Sequence, residues 1–171
     1  MPAKTKIIAL LCATLGMGML SGCAMHPDWV KPGQEEASVV NQIGAPDSRI
    51  EHPDGRFTLV YSGQPFGFET YWMHFDKDGR FIGKERTMNE EHFKLVKVGV
   101  HTKADIYQLF GRCAQEYEFR LQDQTAYMYR FEEVGGHRMA FWVQFDRKDI
   151  VTEWAITQDP WDNDGDSLIL N

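Results

Sequence analysis

Apolar and polar residues follow two kinds of spacing along the sequence, which predict short helices and groups of strands. Apolar residues at helical spacing occupy 37–43 and 104–110. Gly44 and Gly111 follow these segments directly, and glycine is the residue that most often terminates a helix. Each segment is therefore predicted to be a short helix that ends at its glycine.

Two predicted helices begin with a capping box, in which a threonine precedes an acidic residue by three positions. Thr102 with Asp105 marks the start of the helix at 104–110. Thr87 with Glu90 predicts a further helix that runs through residue 96 and joins the two halves of the chain.

Groups of aromatic and β-branched residues, bounded by turn residues, predict several strands after each helix. The predicted strands are 57–61, 68–75 and 80–84 in the first half, and 117–121, 126–131, 138–145 and 150–156 in the second. Gly135 and Gly136 predict a hairpin turn. Because the strands follow one another without intervening helices, each sheet is expected to be antiparallel, with helices packed on one face.

The same order of residue types recurs in the two halves of the sequence. Residues 71–79 align without a gap on 141–149, and both segments place aromatic, Trp, Phe and Asp residues at the same positions. Residues 37–44 align on 104–111. The offsets of 70 and 67 differ by a three-residue insertion. The repeat predicts an α+β fold of two tandem helix-plus-antiparallel-sheet units.

The N-terminal residues are typical of a bacterial secretory signal. Lys4 and Lys6 precede an apolar run at 7–20, which is short for a membrane span. The run ends in Leu-Ser-Gly followed by Cys23, and this ending resembles the lipobox of bacterial lipoproteins, in which signal peptidase II cleaves before a cysteine that carries lipid. Cys23 is therefore predicted to be a lipidation site. An ordinary signal helix or membrane anchor is the alternative.

Cleavage before Cys23 would change the net charge of the chain and leave Cys23 and Cys113 as its two cysteines. The mature chain loses two lysines, so its net charge changes from −7 to −9. Ala24 resembles the sorting pattern for the outer membrane, and the inner membrane is the alternative. Cys113 is left without a partner in an oxidising compartment, and such a cysteine is usually a buried, unreactive apolar residue.

Composition and charge narrow the classes of partner. The chain of 171 residues is 43% hydrophobic and 25% charged, which is typical of folded domains. Its excess of acidic residues argues against a surface that neutralises nucleic-acid phosphates. No nucleic-acid partner and no small-molecule substrate are expected.

The sequence contains none of the common catalytic, nucleotide-binding or metal-binding motifs. No two histidines are four residues apart, the spacing that would place two metal ligands on one helical face; they are His26, His52, His74, His92, His101 and His137. Cys113 with His101 is rejected as a thiolate pair, because twelve residues separate them and no third group is evident. For His74 with Asp76, an exposed strand face beside a hairpin is the favoured interpretation. For 162–166, a solvated acidic tail is favoured over a calcium loop. No catalytic, cofactor or metal residue is therefore predicted.

A family resemblance rests on the order of these elements. A helix, a Gly-x-Pro turn at 44–46, an aromatic strand and a Phe-Asp-x-x-Gly hairpin at 75–79, on a chain with a lipobox, resemble the SmpA/OmlA family of outer-membrane lipoproteins, which includes BamE. The resemblance covers about 33–86 and 99–157. In the second copy, Cys113 stands at the position of the turn proline and Asp149 at that of the hairpin glycine.

The resemblance gives five predicted segments. They are a lipoprotein signal peptide at 1–22, a lipidated linker at 23–32, BamE-like repeats at 33–96 and 97–158, and an acidic C-terminal tail at 159–171. The tandem arrangement of two units also resembles that of the β-lactamase inhibitor protein, in which two such units bind an enzyme through one continuous sheet face.

What the resemblance implies is a non-enzymatic, lipid-anchored module on the periplasmic side of the outer membrane. Its partner would be a protein of β-barrel assembly or envelope maintenance. The alternative is an inhibitor or regulator of a periplasmic enzyme. Trp72 and Trp142 occupy equivalent positions and are expected to pack on their sheets, whereas Trp29 and Trp161 flank the repeats and are freer to contact a partner or a membrane interface.

Overall fold

The computed structural model describes residues 26–162, and their fold is mixed α+β with two four-stranded antiparallel sheets and a few short helices. The strands of the first sheet, in spatial and sequence order, are β1 (Ser48–Glu51), β2 (Phe57–Ser62), β3 (Thr70–Phe75) and β4 (Phe81–Arg86). Those of the second are β5 (Gln115–Phe119), β6 (Gln124–Glu132), β7 (Arg138–Phe145) and β8 (Val151–Gln158). The predicted signal peptide and Cys23 lie outside the described residues.

In the described residues, three α-helices accompany the sheets, namely α1 (Glu36–Ile43), α2 (Glu90–Phe93) and α3 (Lys103–Phe110), and a short 3-10 helix, Pro27–Trp29, precedes them. The predicted capping box at the start of α3 is confirmed, because the Asp105 carboxylate accepts the Thr102 backbone N–H at 2.7 Å and the Thr102 hydroxyl accepts the Asp105 N–H at 3.2 Å. The predicted ends of α1 and α3 are confirmed as well. Gly44 and Gly111 adopt φ values of +95° and +70°, a region that favours glycine.

The predicted start and end of α2 are both wrong, because the helix covers Glu90–Phe93 and does not run through residue 96. Thr87 is buried, and its hydroxyl donates to the Thr70 carbonyl at 3.3 Å instead of capping a helix. The helix begins at Glu90, and the side chain of Asn89 accepts the His92 N–H at 3.2 Å. Thr87 follows β4 and extends its pairing with β3. Its hydroxyl therefore bonds to β3 and does not cap a helix.

Every described strand except β1 corresponds to a predicted strand. Its sequence, Ser-Arg-Ile-Glu, offers one apolar residue, and it lies at the edge of the first sheet, where alternate side chains are exposed. Such a strand carries no hydrophobic signal. β7 occupies the predicted residues 138–145, whereas β5 starts two residues earlier than predicted and β8 ends two residues later.

Several contacts recur at corresponding places in the two halves. The Tyr61 hydroxyl donates to the Gly44 carbonyl at 3.1 Å, and the Tyr129 hydroxyl donates to the Gly111 carbonyl at 3.0 Å. The β3–β4 and β7–β8 pairs each contain a register shift at aligned positions. Each tyrosine thus fastens the end of a helix to the second strand of the sheet that follows it.

Each sheet contributes its inner face to a separate core. In the first core, α1 packs against β2, β3 and β4; its buried apolar residues are Val30, Val39, Ile43, Phe57, Leu59, Tyr61, Tyr71, Met73, Phe75 and Phe81. In the second, α2 and α3 pack against β6 and β7, and Phe93 stacks on Phe141 with ring centroids 3.9 Å apart. The second core also takes Met88 and Val96 from the segment that joins the halves.

Residues beyond both ends of the predicted repeats are packed against the sheets. Val30, within the predicted linker, is buried in the first core, and Lys84 pairs with Asp28 at 2.8 Å. Asp159, the first residue of the predicted tail, is buried and pairs with Arg130 at 2.6 Å. Among the described residues, no helix has the length and apolar composition needed to cross a membrane.

Candidate functional site

The outer face of the first sheet holds the C-terminal end of α3. Side chains from three strands donate hydrogen bonds to the last carbonyl groups of the helix: Ser48 to Gln108 at 2.7 Å, Trp72 to Leu109 at 2.7 Å and Thr70 to Phe110 at 3.3 Å. Ser62 donates to the carbonyl of Arg112, two residues after the helix ends, at 2.8 Å. The last carbonyls of a helix have no partner within the helix. The first sheet therefore satisfies the end of the helix that opens the second half.

The two halves approach closely around Gly111. A Cβ atom at this position would lie 3.0 Å from the Cβ atoms of both Asp47 and Ser62. Beside it, the Arg112 guanidinium pairs with the buried Asp47 carboxylate at 3.0 Å, and that carboxylate accepts the Ser62 N–H at 2.7 Å. Only glycine combines this backbone conformation with such close contact.

The outer face of the second sheet has a different surface. Trp142, the equivalent of Trp72, donates its indole N–H to the Thr157 hydroxyl of its own sheet at 2.9 Å. Its ring lies 5.2 Å from that of Tyr117, between centroids. Neighbouring positions on β8, Ala155 and Thr157, are exposed. This face therefore presents a partly exposed aromatic pair beside small and polar side chains.

One end of that face is covered by the segment between β2 and β3. The Phe68 ring lies under the Arg130 and Arg138 guanidinium groups, at 4.6 and 5.3 Å from the ring centroid. Arg130 also donates to the Pro65 carbonyl at 3.2 Å and lies 5.1 Å from the Trp161 ring centroid. The aromatic pair at Tyr117 and Trp142 belongs to the part of the face beyond these contacts.

A groove of about 810 Å³ lies where the two halves meet. Its walls include the aromatic residues Tyr61, Phe68 and Tyr71, and its acidic residues include Glu69, Glu132 and Glu133. The first half contributes the three rings and Glu69, whereas Glu132, the last residue of β6, and Glu133, the next residue, come from the second half. This volume lies in the range of small-molecule and peptide-side-chain sites.

A chain of polar contacts crosses the first sheet toward α2. The Thr58 hydroxyl lies 2.9 Å from His52 Nε2 and 3.0 Å from His74 Nδ1. His74 Nε2 lies 3.1 Å from one Glu85 oxygen, and His92 Nε2 lies 3.6 Å from the other. This arrangement satisfies polar groups between strands and links α2 to the first sheet.

His74 and Asp76 bond to different partners, and Cys113 is not activated as a nucleophile. Asp76 accepts the backbone N–H groups of Asp78 and Arg80 in the hairpin turn, whereas His74 bonds to Thr58 and Glu85. Cys113 is a half-buried free thiol beside the second core, and burial raises its pKa to about 11. A thiol with so high a pKa is a poor nucleophile at neutral pH.

The described part of the chain contains no group of three or more His, Cys, Asp or Glu residues arranged to hold a metal ion. Asp162, the first residue of the suspected calcium loop, pairs with Arg138 at 2.6 Å, and the rest of that loop lies outside the described residues. Trp29 and Trp161 are 59% and 40% exposed, so both are accessible to a partner.

Sequence reasoning missed the groove and the histidine chain. Glu69 and Glu132 lie far apart in the sequence, and neither belongs to a motif, so no local signal relates them. His52, His74 and His92 meet Glu85 and Thr58 only through strand register and the position of α2.

Comparison with known proteins gave no match: no family model, no curated protein and no solved structure is significantly similar to the chain.

Proposed function

We propose that the protein is a non-enzymatic lipoprotein, anchored through Cys23 to the periplasmic side of the outer membrane, that binds another protein through the outer face of its second sheet. The two halves would be tandem copies of a BamE-like unit. The partner would act in β-barrel protein assembly or envelope maintenance. The lipid would confine the domain to the membrane surface and raise its effective concentration near a membrane-bound partner.

The observation that carries the proposal is the contrast between the two equivalent tryptophans. Trp72 is used inside the chain, where it binds the end of α3. Trp142 lies on a face whose aromatic pair is partly exposed, next to exposed Ala155. Aromatic residues are enriched at protein interfaces relative to the rest of the protein surface. This contrast supports binding at the second sheet.

A capture experiment tests the binding face. Full-length protein and its Ala155→Lys variant are used to recover partners from envelope extracts. Ala155 pairs with Trp142 across the strands and is exposed, so the new charge should block a partner without disturbing the core. Leu121→Lys is the matched control, because Leu121 is 99% exposed in the turn between β5 and β6.

We expect wild type and Leu121→Lys to recover a β-barrel assembly component, and Ala155→Lys to lose it. Recovery of a soluble periplasmic enzyme with the same dependence on Ala155 would support the alternative, an inhibitor or regulator. Equal recovery by all three proteins would contradict the proposed face. Repeated recovery of no assembly component, with normal outer-membrane protein levels in a deletion strain, would contradict the assembly role.

Lipidation is tested separately by metabolic labelling with radioactive palmitate. Wild type and Cys113→Ser should incorporate label, and Cys23→Ser should not. Because Cys113→Ser also removes one thiol, it controls for general effects of losing a cysteine. Equal labelling of the Cys23→Ser variant would contradict the proposed anchor.

A further inference from the structure

Residues 26–28 are held against one end of the first sheet. The Lys84 ammonium pairs with the Asp28 carboxylate at 2.8 Å and donates to the Pro27 carbonyl at 3.1 Å. The His26 ring packs edge-on against the Tyr71 ring, with centroids 5.5 Å apart. These contacts fix the position of His26 on the fold.

The proposed lipid attachment site lies very close to this fixed position in the sequence. Cys23 precedes His26 by three residues. Three residues of fully extended chain span at most about 11 Å. A lipid on Cys23 therefore brings the bilayer close to the end of the fold that holds His26, because the connection is too short to let the domain stand away from the membrane.

Two loop tips with exposed apolar side chains lie at the same end of the fold. Phe66, between β2 and β3, is 91% exposed, and Val134, in the turn between β6 and β7, is 106% exposed. Val134 and Gly67, the neighbour of Phe66, line the groove together with His26. Trp29, three residues after His26, is 59% exposed. The described part of the chain thus leaves several large apolar side chains in solvent beside the point where the lipid would attach.

The charges at this end do not favour anionic headgroups. Among the described residues that line the groove, four carry carboxylates and two are arginines. Both arginines are already paired, Arg86 with Glu69 at 3.2 Å and Arg112 with Asp47 at 3.0 Å. Contact with a bilayer at this end therefore depends on apolar side chains and not on electrostatic attraction.

We propose that this end of the fold rests on the bilayer surface, with Phe66 and Val134 inserted at the boundary between headgroups and acyl chains. Removal of the two side chains from water adds to the anchoring by the lipid. The nine residues of β6 place the β5–β6 turn, which carries Leu121, roughly 25 Å from the turn that carries Val134. This contact depends on the lipid that we propose at Cys23 and leaves the outer face of the second sheet open to a partner.

Fluorescent labels at single cysteines test which end of the fold meets the bilayer. The full-length chain is expressed in a Gram-negative host, purified with its lipid and reconstituted into phosphatidylcholine vesicles that contain nitroxide-labelled lipid. In a Cys113→Ser background, a nitrobenzoxadiazole label is attached in turn to Phe66→Cys, Val134→Cys and Leu121→Cys. Leu121 is the matched control, because it is 99% exposed but lies at the other end of β6.

We expect the labels at 66 and 134 to show blue-shifted emission and loss of intensity through quenching by the nitroxide lipid. The label at 121 should show neither change. Partial replacement of phosphatidylcholine by phosphatidylglycerol should not strengthen the quenching at 66 and 134, since this end has no excess of positive charge. Quenching that requires the anionic lipid would overturn the apolar contact.

Mass spectrometry of the same samples separates failure of the contact from failure of the anchor. If Cys23 carries lipid and the labels at 66 and 134 are quenched no more than the label at 121, the membrane contact is overturned while the anchor stands. Stronger quenching at 121 would reverse the orientation and also overturn it. If Cys23 carries no lipid, the proposed anchor fails and the contact fails with it.

Discussion

The outer faces of the two sheets differ although their strands follow the same order. On the first sheet, four side chains donate to carbonyl groups at the end of α3 or just after it, namely Ser48, Ser62, Thr70 and Trp72. On the second, the positions that correspond by register are Gln115, Arg130, Ala140 and Trp142. Three of the four donor side chains are thus replaced, and Trp142 bonds within its own sheet.

The difference shows how one type of face can serve two purposes. The first face is adapted to a helix that follows in the same chain, so its donors are matched to particular carbonyl groups. The second has no following helix in the described residues, and its tryptophan, Trp142, donates to Thr157 of the same sheet. A face whose tryptophan is already hydrogen-bonded can remain exposed in the free protein and still offer aromatic surface to a partner.

The largest expected difference in stability is between alanine variants of the two glycines that end α1 and α3. Gly44 and Gly111 have φ values of +95° and +70°, so alanine at either position is strained by about 2 kcal/mol. A Cβ at Gly111 would also crowd Asp47 and Ser62, whereas one at Gly44 would meet nothing within 4 Å. We expect Gly111→Ala to lower the free energy of unfolding by about 2 kcal/mol more than Gly44→Ala.

Urea unfolding of the two glycine variants measures this difference. Equal destabilisation would mean that the halves are not held in close contact at Gly111. A larger effect at Gly44 would reverse the assignment of the tighter site.

Replacement of each tryptophan by phenylalanine should give a smaller difference. Trp72→Phe removes the donor of the Leu109 carbonyl and leaves that helix end partly unsatisfied, which costs about 1–3 kcal/mol. Trp142→Phe frees the exposed Thr157 hydroxyl, which water can satisfy, so its cost should stay below about 1 kcal/mol. Thermal and urea unfolding of both variants provide the measurement, and greater destabilisation by Trp142→Phe would contradict the different roles of the two faces.

The smallest expected difference is in how the stability contributed by the starts of α1 and α3 depends on pH. Hydrogen bonds from the Thr102 backbone and hydroxyl lower the pKa of the Asp105 carboxyl, whereas α1 has no side-chain cap. A lowered folded-state pKa gives stability that is present above the unfolded value, near pH 4, and is lost as pH falls through the folded value.

Asp105→Asn should therefore lose less stability than wild type between pH 6 and pH 3, by under about 1 kcal/mol. Ser38→Ala, at the corresponding position of α1, should leave the acid response unchanged. Urea unfolding at several pH values checks both variants. An unchanged response in Asp105→Asn would show that the cap contributes nothing to acid sensitivity.

The sequence correctly predicts those features of the fold that depend on residues close together in the chain. The ends of α1 and α3, the Thr102 cap and the extent of β7 follow from glycine, capping and strand patterns. Thr87 shows the limit, because its spacing to Glu90 matches a capping box while its hydroxyl bonds to β3, a contact that only tertiary structure reveals.

The candidate sites depended still more on tertiary structure. The equivalence of Trp72 and Trp142 was visible in the sequence, and both do lie on sheets. Their difference was not visible, because it depends on whether a helix end lies against each face. The groove joins Glu69 to Glu132 through the packing of the two halves, which no single segment encodes.

Photo-crosslinking in living cells tests the central claim most directly. A benzoylphenylalanine at position 117, on the outer face of the second sheet, should give one discrete crosslinked protein. The same group at position 121, which is more exposed but lies in the turn between β5 and β6, should give none. Crosslinks of the same mass from both positions, or a partner captured from 121 and not from 117, would contradict the assignment of the binding face.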